Sequence, residues 1–347
     1  MKSQRLTWYL LIGMISLMGT LCARMNCGPI GSCAVRTGFV TATDGAQIYF
    51  EVWGDGPIEN ALVFGHGFPW SHQIWRNQAP FFCSLNRPTV IYDMVGFGLS
   101  DKPVTRLYDL AEAVDDLNTL LTTLGITNPI LIGHSMASLV FMQYVVSFPG
   151  VARQLVIFDG TPKVVSSPDW PAGVFSNLTP EVVALFNALV VVNHRLALEI
   201  LTAAMFSFTE MAQPGFAALF EELINIGLQS PDYVWVNTFN NFFVPTDLRP
   251  ILPLIDIPTL IIVGKEDSVT PFPASMYLHQ NIGPSCLNVI PAAGHMAMIA
   301  TPMEATESNS LLMRFFDQGC KQFSPCISMD PPAARSRFRR LFTLNLL

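Results

Sequence analysis

The sequence predicts an α/β protein in which a strand and helix alternation is broken once by an all-helical insertion. Three observations carry this prediction. Short apolar runs bounded by glycine or proline alternate with helical patterns over residues 36–160 and again over 254–319. Between them, residues 161–253 show only apolar helical patterns. Within the first block, the run Ile-Leu-Ile-Gly-His-Ser-Met-Ala at 130–137 sets Ser135 where a buried strand turns abruptly into a helix.

Composition supports a large packed core. Half of the 347 residues are hydrophobic and only 13% are charged, which suits one large domain with an insertion. The net charge of −7 argues against a nucleic-acid partner, because phosphate binding needs clustered Lys and Arg. The one basic cluster, Arg335, Arg337, Arg339 and Arg340, lies in the C-terminal tail, 320–347. It reads as a solvated tail, with contact to an anionic membrane surface as the alternative.

Residues 1–23 read as an export signal: Lys2 and Arg5 precede an apolar stretch from Leu10 to Leu21 that ends near Thr20, Cys22 and Ala23. An uncleaved anchor is the rival reading, so the protein is expected to be periplasmic or secreted, with membrane association through this segment as the variant. Seven cysteines fit export. Cys27/Cys33 and Cys320/Cys326 flank the domain, so disulfides tying its termini are expected, with connectivity left open. No histidine spacing supports a metal site.

Each element follows from local pattern. Phe39 to Thr43 and Ala46 to Val52 are strands joined by Asp44-Gly45, a hairpin signal. Ala61 to Phe64 is a buried strand running into His66-Gly67-Phe68-Pro69-Trp70, where glycine lets the backbone pass close to another segment and Phe68 can offer its N–H. The G-x-x-x-x-G-K spacing of a phosphate loop is absent. A helix is expected over Gln73 to Leu85, then a strand over Thr89 to Tyr92 ending at Asp93, which fixes the following glycine turn. Leu110 to Leu124 has helical spacing and stops at Gly125; Gln154 to Phe158 is a strand ending at Asp159. The insertion divides into helices over Pro180 to Ala197, Leu198 to Ser207, Gly215 to Gly227 and Pro231 to Phe243. Its apolar excess is read as that of a lid over an apolar pocket, with simple core packing as the alternative. Alternation resumes with strands Thr259 to Val263 and Leu287 to Ile290, and helices Pro273 to Asn281 and Pro302 to Phe316.

Three loops at strand ends now carry Ser135, Asp267 and His295, in the order nucleophile, acid, base. Serine's free hydroxyl is a poor nucleophile, so the chemistry needs His295 to take its proton and Asp267 to orient the imidazole. The N–H groups of Phe68 and Met136 are the expected oxyanion donors, and Trp70 and His134 are candidate walls of the substrate pocket. Glu266 and Asp159 are rival acids. His66 and His134 adjoin working motifs and read as structural; His72, His194 and His279 show no partner.

On these residues the chain resembles the α/β-hydrolase superfamily from about Arg36 to Gly319. The His-Gly-Phe-Pro-Trp, Tyr-Asp-Met-Val-Gly-Phe-Gly-Leu-Ser-Asp and Gly-His-Ser-Met segments are most similar to a branch of cofactor-free haloperoxidase-like esterases, lactonases and epoxide-hydrolase relatives. The resemblance implies a mostly parallel eight-stranded sheet flanked by helices, a core of 36–160 and 254–319, a cap of 161–253, and no cofactor. Ser135 stands where epoxide hydrolases and haloalkane dehalogenases carry aspartate, which disfavours those two activities. The expected substrate is a small carboxylic ester or lactone with a hydrophobic acyl group. C–C bond hydrolysis, perhydrolase or haloperoxidase-like activity, and non-catalytic ligand binding are the alternatives, and nothing in the sequence sets an oligomeric state.

Overall fold

The structure, a computed structural model, describes residues 33–323. The export segment 1–23, Cys27, Cys326 and the basic cluster of the tail lie outside the described residues. Among the described residues no helix is long and apolar enough to cross a membrane.

Eight strands form one sheet: β1 (Val35–Thr41), β2 (Gln47–Trp53), β3 (Leu62–Gly65), β4 (Thr89–Tyr92), β5 (Ile130–His134), β6 (Gln154–Phe158), β7 (Thr259–Gly264) and β8 (Ser285–Ile290). Their spatial order is β1-β2-β4-β3-β5-β6-β7-β8. The β1–β2 and β2–β4 pairs are antiparallel and the remainder parallel. Every residue of β3, β4, β5 and β7 is buried, as expected of strands covered by helices on both faces. The order reverses between β3 and β5, so the loops leaving these adjacent strands open side by side at the carboxyl edge, where such sheets place their ligands.

The helix after β5 lies unusually close to the sheet. Gly65 and Gly133 are register partners on β3 and β5. A Cβ on Gly133 would lie 2.8 Å from the backbone of Ala137 and Ser138, and one on Gly65 would lie 2.7 Å from the Ala137 methyl. The methyl that makes the motif Gly-x-Ser-x-Ala rather than Gly-x-Ser-x-Gly is therefore housed by the missing side chain of Gly65.

Three expected helices are subdivided, each for a local reason. Gln73 to Leu85 is a 3-10 turn, His72–Trp75, followed by α1 (Ala79–Ser84), because Pro80 is accommodated only in a first turn. Pro180 to Ala197 breaks at Asn193, which leaves helical geometry (φ −152°, ψ 82°) and caps the next helix by accepting from the Leu196 N–H at 3.1 Å. The Pro231 to Phe243 stretch winds as an α-helix through Asn237 and then as a π-helical turn, Thr238–Phe243. Residues between β6 and β7 otherwise carry helices, as the loss of alternation predicts.

The cysteines pair inward rather than with their neighbours at the termini. Cys33 lies at bonding distance from Cys83 of α1, with Cα atoms 6.0 Å apart, and Cys286 of β8 from Cys320, at 5.5 Å. Ala34 accepts from the Gly54 N–H, and Gly54 lies against the Cys83 sulfur, which brings the start of β1 over α1.

Because the Gly133 position meets backbone rather than a side chain that could swing away, Gly133→Ala forces the helix off the sheet. Thermal or urea unfolding is expected to report a loss of about 1–3 kcal/mol, whereas Gly283→Ala, facing open space, leaves stability nearly unchanged.

Candidate active site

Ser135 ends β5 and caps α3 (Met136–Ser147) in a conformation, φ 50° and ψ −110°, that L-residues adopt only under constraint. The constraint is visible. Its N–H donates to the Phe158 carbonyl at 2.9 Å, and its own carbonyl accepts from the Ser138 N–H at 3.0 Å and the Ser138 hydroxyl at 2.5 Å. Ser135 itself is half-buried, whereas His134, Met136 and Ala137 beside it are fully buried.

His295 reaches this edge from the far side of the sheet. After β8 the chain folds back over β7: a Cβ on Gly264 would fall 2.0 Å from the Gly294 carbonyl, and the Glu266 N–H donates to the Ala293 carbonyl. The turn ends under β5, where His134 Nε2–H donates to the His295 carbonyl at 2.9 Å and the two rings lie 4.9 Å apart. His295 Nδ1–H donates to Asp267 Oδ2 at 2.8 Å, both side chains being fully buried. Asp267 also accepts from the Val269 and Thr270 N–H groups and from the Thr270 hydroxyl at 2.6 Å. With Nδ1 committed, Nε2 carries the lone pair, and it is buried without a hydrogen-bond partner among the described residues.

The rival acids separate cleanly. Glu266 is exposed. Asp159 is fully buried in a left-handed conformation (φ 49°) and accepts from the Gly264 N–H at 2.9 Å. Burial, reinforced by the charge of Asp267, holds its carboxyl well above the usual carboxylate range, which favours its neutral form beside an acid that hydrogen-bonds the imidazole.

The expected oxyanion donors sit on both sides of the serine. Met136 opens α3, and the loop of Phe68 passes so close that a Cβ on Gly67 would lie 2.4 Å from His134 Nδ1 and 3.1 Å from the Ser135 Cβ. Among the described residues no acceptor takes the Phe68 N–H; the Phe68–Pro69 peptide is cis. His66 fixes this loop by donating from Nδ1 to the Gly67 carbonyl and accepting the Met94 N–H at Nε2, each at 3.0 Å. Burial pushes its pKa down to about 4, keeping the ring neutral for both tasks.

The two expected pocket walls are placed differently. His134 is buried beneath the His295 turn, where desolvation keeps it neutral and its Nε2–H holds the His295 carbonyl. Trp70 is fully buried, its indole N–H unpartnered among the described residues. A small cavity of about 20 Å³ lies instead beside Met136, walled by Met94, Val95, Phe97, Tyr108 and, from the insertion, Thr238 and Phe242. It ends on Arg106, whose guanidinium meets Asp44 at 2.8 Å and Asp116 at 2.5 Å. The Phe68 ring forms edge contacts with Trp235, Phe239 and Phe243 at centroid distances of 4.7, 5.3 and 5.4 Å, which locks the Phe68 loop to the helical insertion.

Sequence reasoning missed the partner of His72. Its backbone N–H and Nδ1 both donate to Asp93 Oδ1, at 2.6 and 2.8 Å, while Asp93 Oδ2 accepts from Leu99 N–H at 2.7 Å. Burial opposes the charged imidazole, but Asp93 and Glu51 outweigh it and raise His72 to about 9. Among the described residues, His134, Asp159 and His295 form the one group able to approach an ion together, with ligand atoms within 4.8 Å of one another. The Nε2 of His134 and Nδ1 of His295 are already engaged as described above.

The family model for the alpha/beta hydrolase fold matches residues 60–302. The chain is 29% identical to a non-heme chloroperoxidase of Streptomyces lividans, over 68% of this chain and 84% of that protein. It is 27% identical to a bifunctional esterase/perhydrolase of Acinetobacter calcoaceticus over 69% and 85%. Among solved structures it resembles an esterase from Exiguobacterium antarcticum, with a TM-score of 0.74 and 24% identity over 81% of this chain and all of that one. It also resembles Est816, described as an N-acyl homoserine lactone degrading enzyme, with a TM-score of 0.68 and 25% identity over 80% of this chain and all of that one.

Two outcomes follow. Asp159→Asn keeps a neutral hydrogen-bonding group and is expected to hold any esterase kcat within about tenfold, whereas Asp267→Asn, which sets the wrong imidazole tautomer, loses ~10⁴-fold. For His72 the folded pKa exceeds the ordinary 6.5, so its stabilising contribution is complete below that value and is lost as pH rises through about 9. The difference in melting temperature between wild type and His72→Gln should therefore shrink between neutral and strongly alkaline buffer.

Proposed function

Because the chain belongs to the alpha/beta hydrolase family, with haloperoxidase-like esterases among its relatives, we propose that it hydrolyses a carboxylic ester or lactone through an acyl-enzyme on Ser135. The observation that carries this reading is the His295 ring, tied at Nδ1 to Asp267 and left with a buried, unpartnered Nε2 at the edge where the strained Ser135 stands.

In this reading His295 Nε2 takes the hydroxyl proton as Ser135 Oγ attacks the acyl carbonyl. The negative charge on the carbonyl oxygen is met by the N–H groups of Phe68 and Met136, each contributing about 3 kcal/mol to the transition state. Collapse expels the alcohol, which takes the proton from Nε2. Water then repeats the sequence, giving up its proton to His295 as it attacks the acyl carbon, and the acid leaves with Ser135 regenerated. Asp267 orients the ring through Nδ1 and stabilises the imidazolium. The names of the chloroperoxidase and esterase/perhydrolase relatives favour one variant of the second half-reaction, in which hydrogen peroxide replaces water and the product is a peracid.

The acyl group belongs in the cavity beside Met136. Met94, Val95, Phe97, Ala113, Met136 and Phe242 give it an apolar side opposite Arg106, Asp109 and Asp116, and its size, with room for about one water molecule, supports a short chain. The helical insertion acts as the lid, through Thr238 and Phe242. We also place the protein in an exported compartment: the inward cysteine pairs lie within bridging reach, and oxidised pairs persist outside the cytosol. Non-reducing peptide mass spectrometry of protein from the native host would find Cys33 linked to Cys83 and Cys286 to Cys320; free thiols at all four sites would remove that support.

Purified protein is expected to hydrolyse p-nitrophenyl acetate and butyrate faster than the decanoate, and Ser135→Ala to lose at least ~10³-fold in kcat. Equal rates for wild type and Ser135→Ala would defeat the proposal, and a preference for decanoate would defeat the assignment of the acyl cavity.

A further inference from the structure

The insertion does more around the catalytic turns than cover them. The segment joining α5 (His194–Ala204) to α6 (Phe208–Met211) lies against both the acid loop and the base loop. The Ala204 carbonyl accepts from the Ser268 hydroxyl at 2.7 Å, next to Asp267. The Met205 carbonyl accepts from the His295 N–H at 2.7 Å, and the Ser207 hydroxyl donates to the Ala292 carbonyl at 2.8 Å. Glu210 completes the set. One carboxylate oxygen accepts from the Gly294 N–H at 3.0 Å and the other from the Ser207 N–H in a capping box. A Cβ on Gly294 would come within 2.6 Å of the Met205 carbonyl and 2.7 Å of the Glu210 carboxylate. The residue before His295 is thus the one that lets the two segments close on each other.

Glu210 is itself buried, at 1% exposure, as is Glu304 in the first turn of α10 (Pro302–Gln318), at 3%. The two carboxyl groups meet in a side-chain hydrogen bond that needs a proton between them, and Glu304 Oε2 accepts from no other N–H or O–H group among the described residues. We propose that Glu210 is a positioning residue for His295, holding the base turn by the Gly294 N–H, and that Glu304 controls this hold by supplying or withdrawing a proton beside it.

The proposal deepens the hydrolase reading and rests on it, since it takes His295 as the base. A carboxylate anchor buried next to a second carboxyl holds only while the pair keeps a proton, because two adjacent charges away from water repel each other. Burial and the Glu210 carboxylate push Glu304 up to about 7, with Glu307 of the same helix adding to the rise. Burial also raises Glu210, against the hydrogen bonds from Gly294 and Ser207. The other acid that feels Glu210 is Asp159, whose neutral form burial favours. The sign follows. A carboxyl whose folded pKa lies above its ordinary 4.5 stabilises the fold at low pH, and that contribution falls away as pH rises toward about 7. Deprotonation therefore loosens the clamp on the alkaline side.

The test uses the full chain, p-nitrophenyl butyrate, and Glu210→Ala, Glu210→Gln and Glu304→Gln. Glu210→Ala should lower kcat by ~10- to 100-fold through misplacement of the base, with KM little changed. Glu210→Gln, which keeps an oxygen for the Gly294 N–H, should recover most of that loss. Wild-type kcat should decline as pH rises through about 7, and Glu304→Gln, neutral at every pH, should abolish the decline. Deuterium exchange of the peptide bearing Gly294 and His295 should be faster in Glu210→Ala, and in wild type should quicken above that pH. Wild-type kcat in Glu210→Ala, an unaltered alkaline decline in Glu304→Gln, or exchange indifferent to Glu210 and to pH would each overturn the proposal. If Glu210→Ala does not fold, the Glu304→Gln pH profile decides. If Ser135→Ala proves as active as wild type, the hydrolase reading fails, and the exchange arm still decides the clamp, because it does not read turnover.

Discussion

Ser135 holds a backbone conformation that costs free energy, on the order of 1–3 kcal/mol for a residue of this kind, and the rest of the site is arranged so that the chain has no cheaper choice. The strand before it is buried over its full length. The helix after it is pressed onto the sheet through two missing side chains, at Gly65 and Gly133. Its N–H is tied to Phe158 on the next strand and its carbonyl to Ser138. Relaxing the serine into an ordinary conformation would mean lifting α3 off the sheet core. The strain is thus offset by packing, and it leaves Ser135 half-buried between the fully covered His134 and Met136.

The same economy explains why the neighbouring histidines are neutral. His66 and His134 are fully buried, and a charge on either would be costly. Kept neutral, each imidazole bridges backbone groups of two loops: His66 joins the Phe68 loop to the turn after β4, and His134 props the carbonyl of His295. His295 differs because Asp267 lies against its Nδ1, so it alone of the three has an anionic partner to stabilise a transient imidazolium. The insertion then closes the site from above through Phe68 and from the side through Glu210. An insertion fastened to both the Phe68 loop and the His295 turn cannot move far without disturbing both.

Much of this was legible in the sequence, because the signals were local. The nucleophile turn needs small residues two positions on either side of the serine, and Gly133 and Ala137 stand there. Alternating strand and helix patterns located all eight strands, and their disappearance marked the insertion. What could not be read depended on contacts between distant segments. His72 lacked a visible partner because Asp93 lies 21 residues away. Glu210 carried no signal in the sequence: its reach to Gly294, 84 residues on, exists only once the insertion is docked. His134 was read both as structural and as a candidate pocket wall, and the sequence could not show that its ring lies under the His295 carbonyl, 161 residues on. The helix boundaries at Pro80 and Asn193 were missed for a smaller reason: apolar spacing continued across residues whose backbone chemistry ends a helix.

The central claim is that a constrained serine at the sheet edge is nucleophilic because the histidine at 295 can accept its proton. The most direct measurement is covalent labelling with a fluorophosphonate, followed by peptide mass spectrometry of wild type and His295→Ala. The account predicts a single adduct, on Ser135, formed by the wild type and nearly absent from the variant. An adduct on another residue, no adduct at all, or equal labelling of both proteins would contradict it.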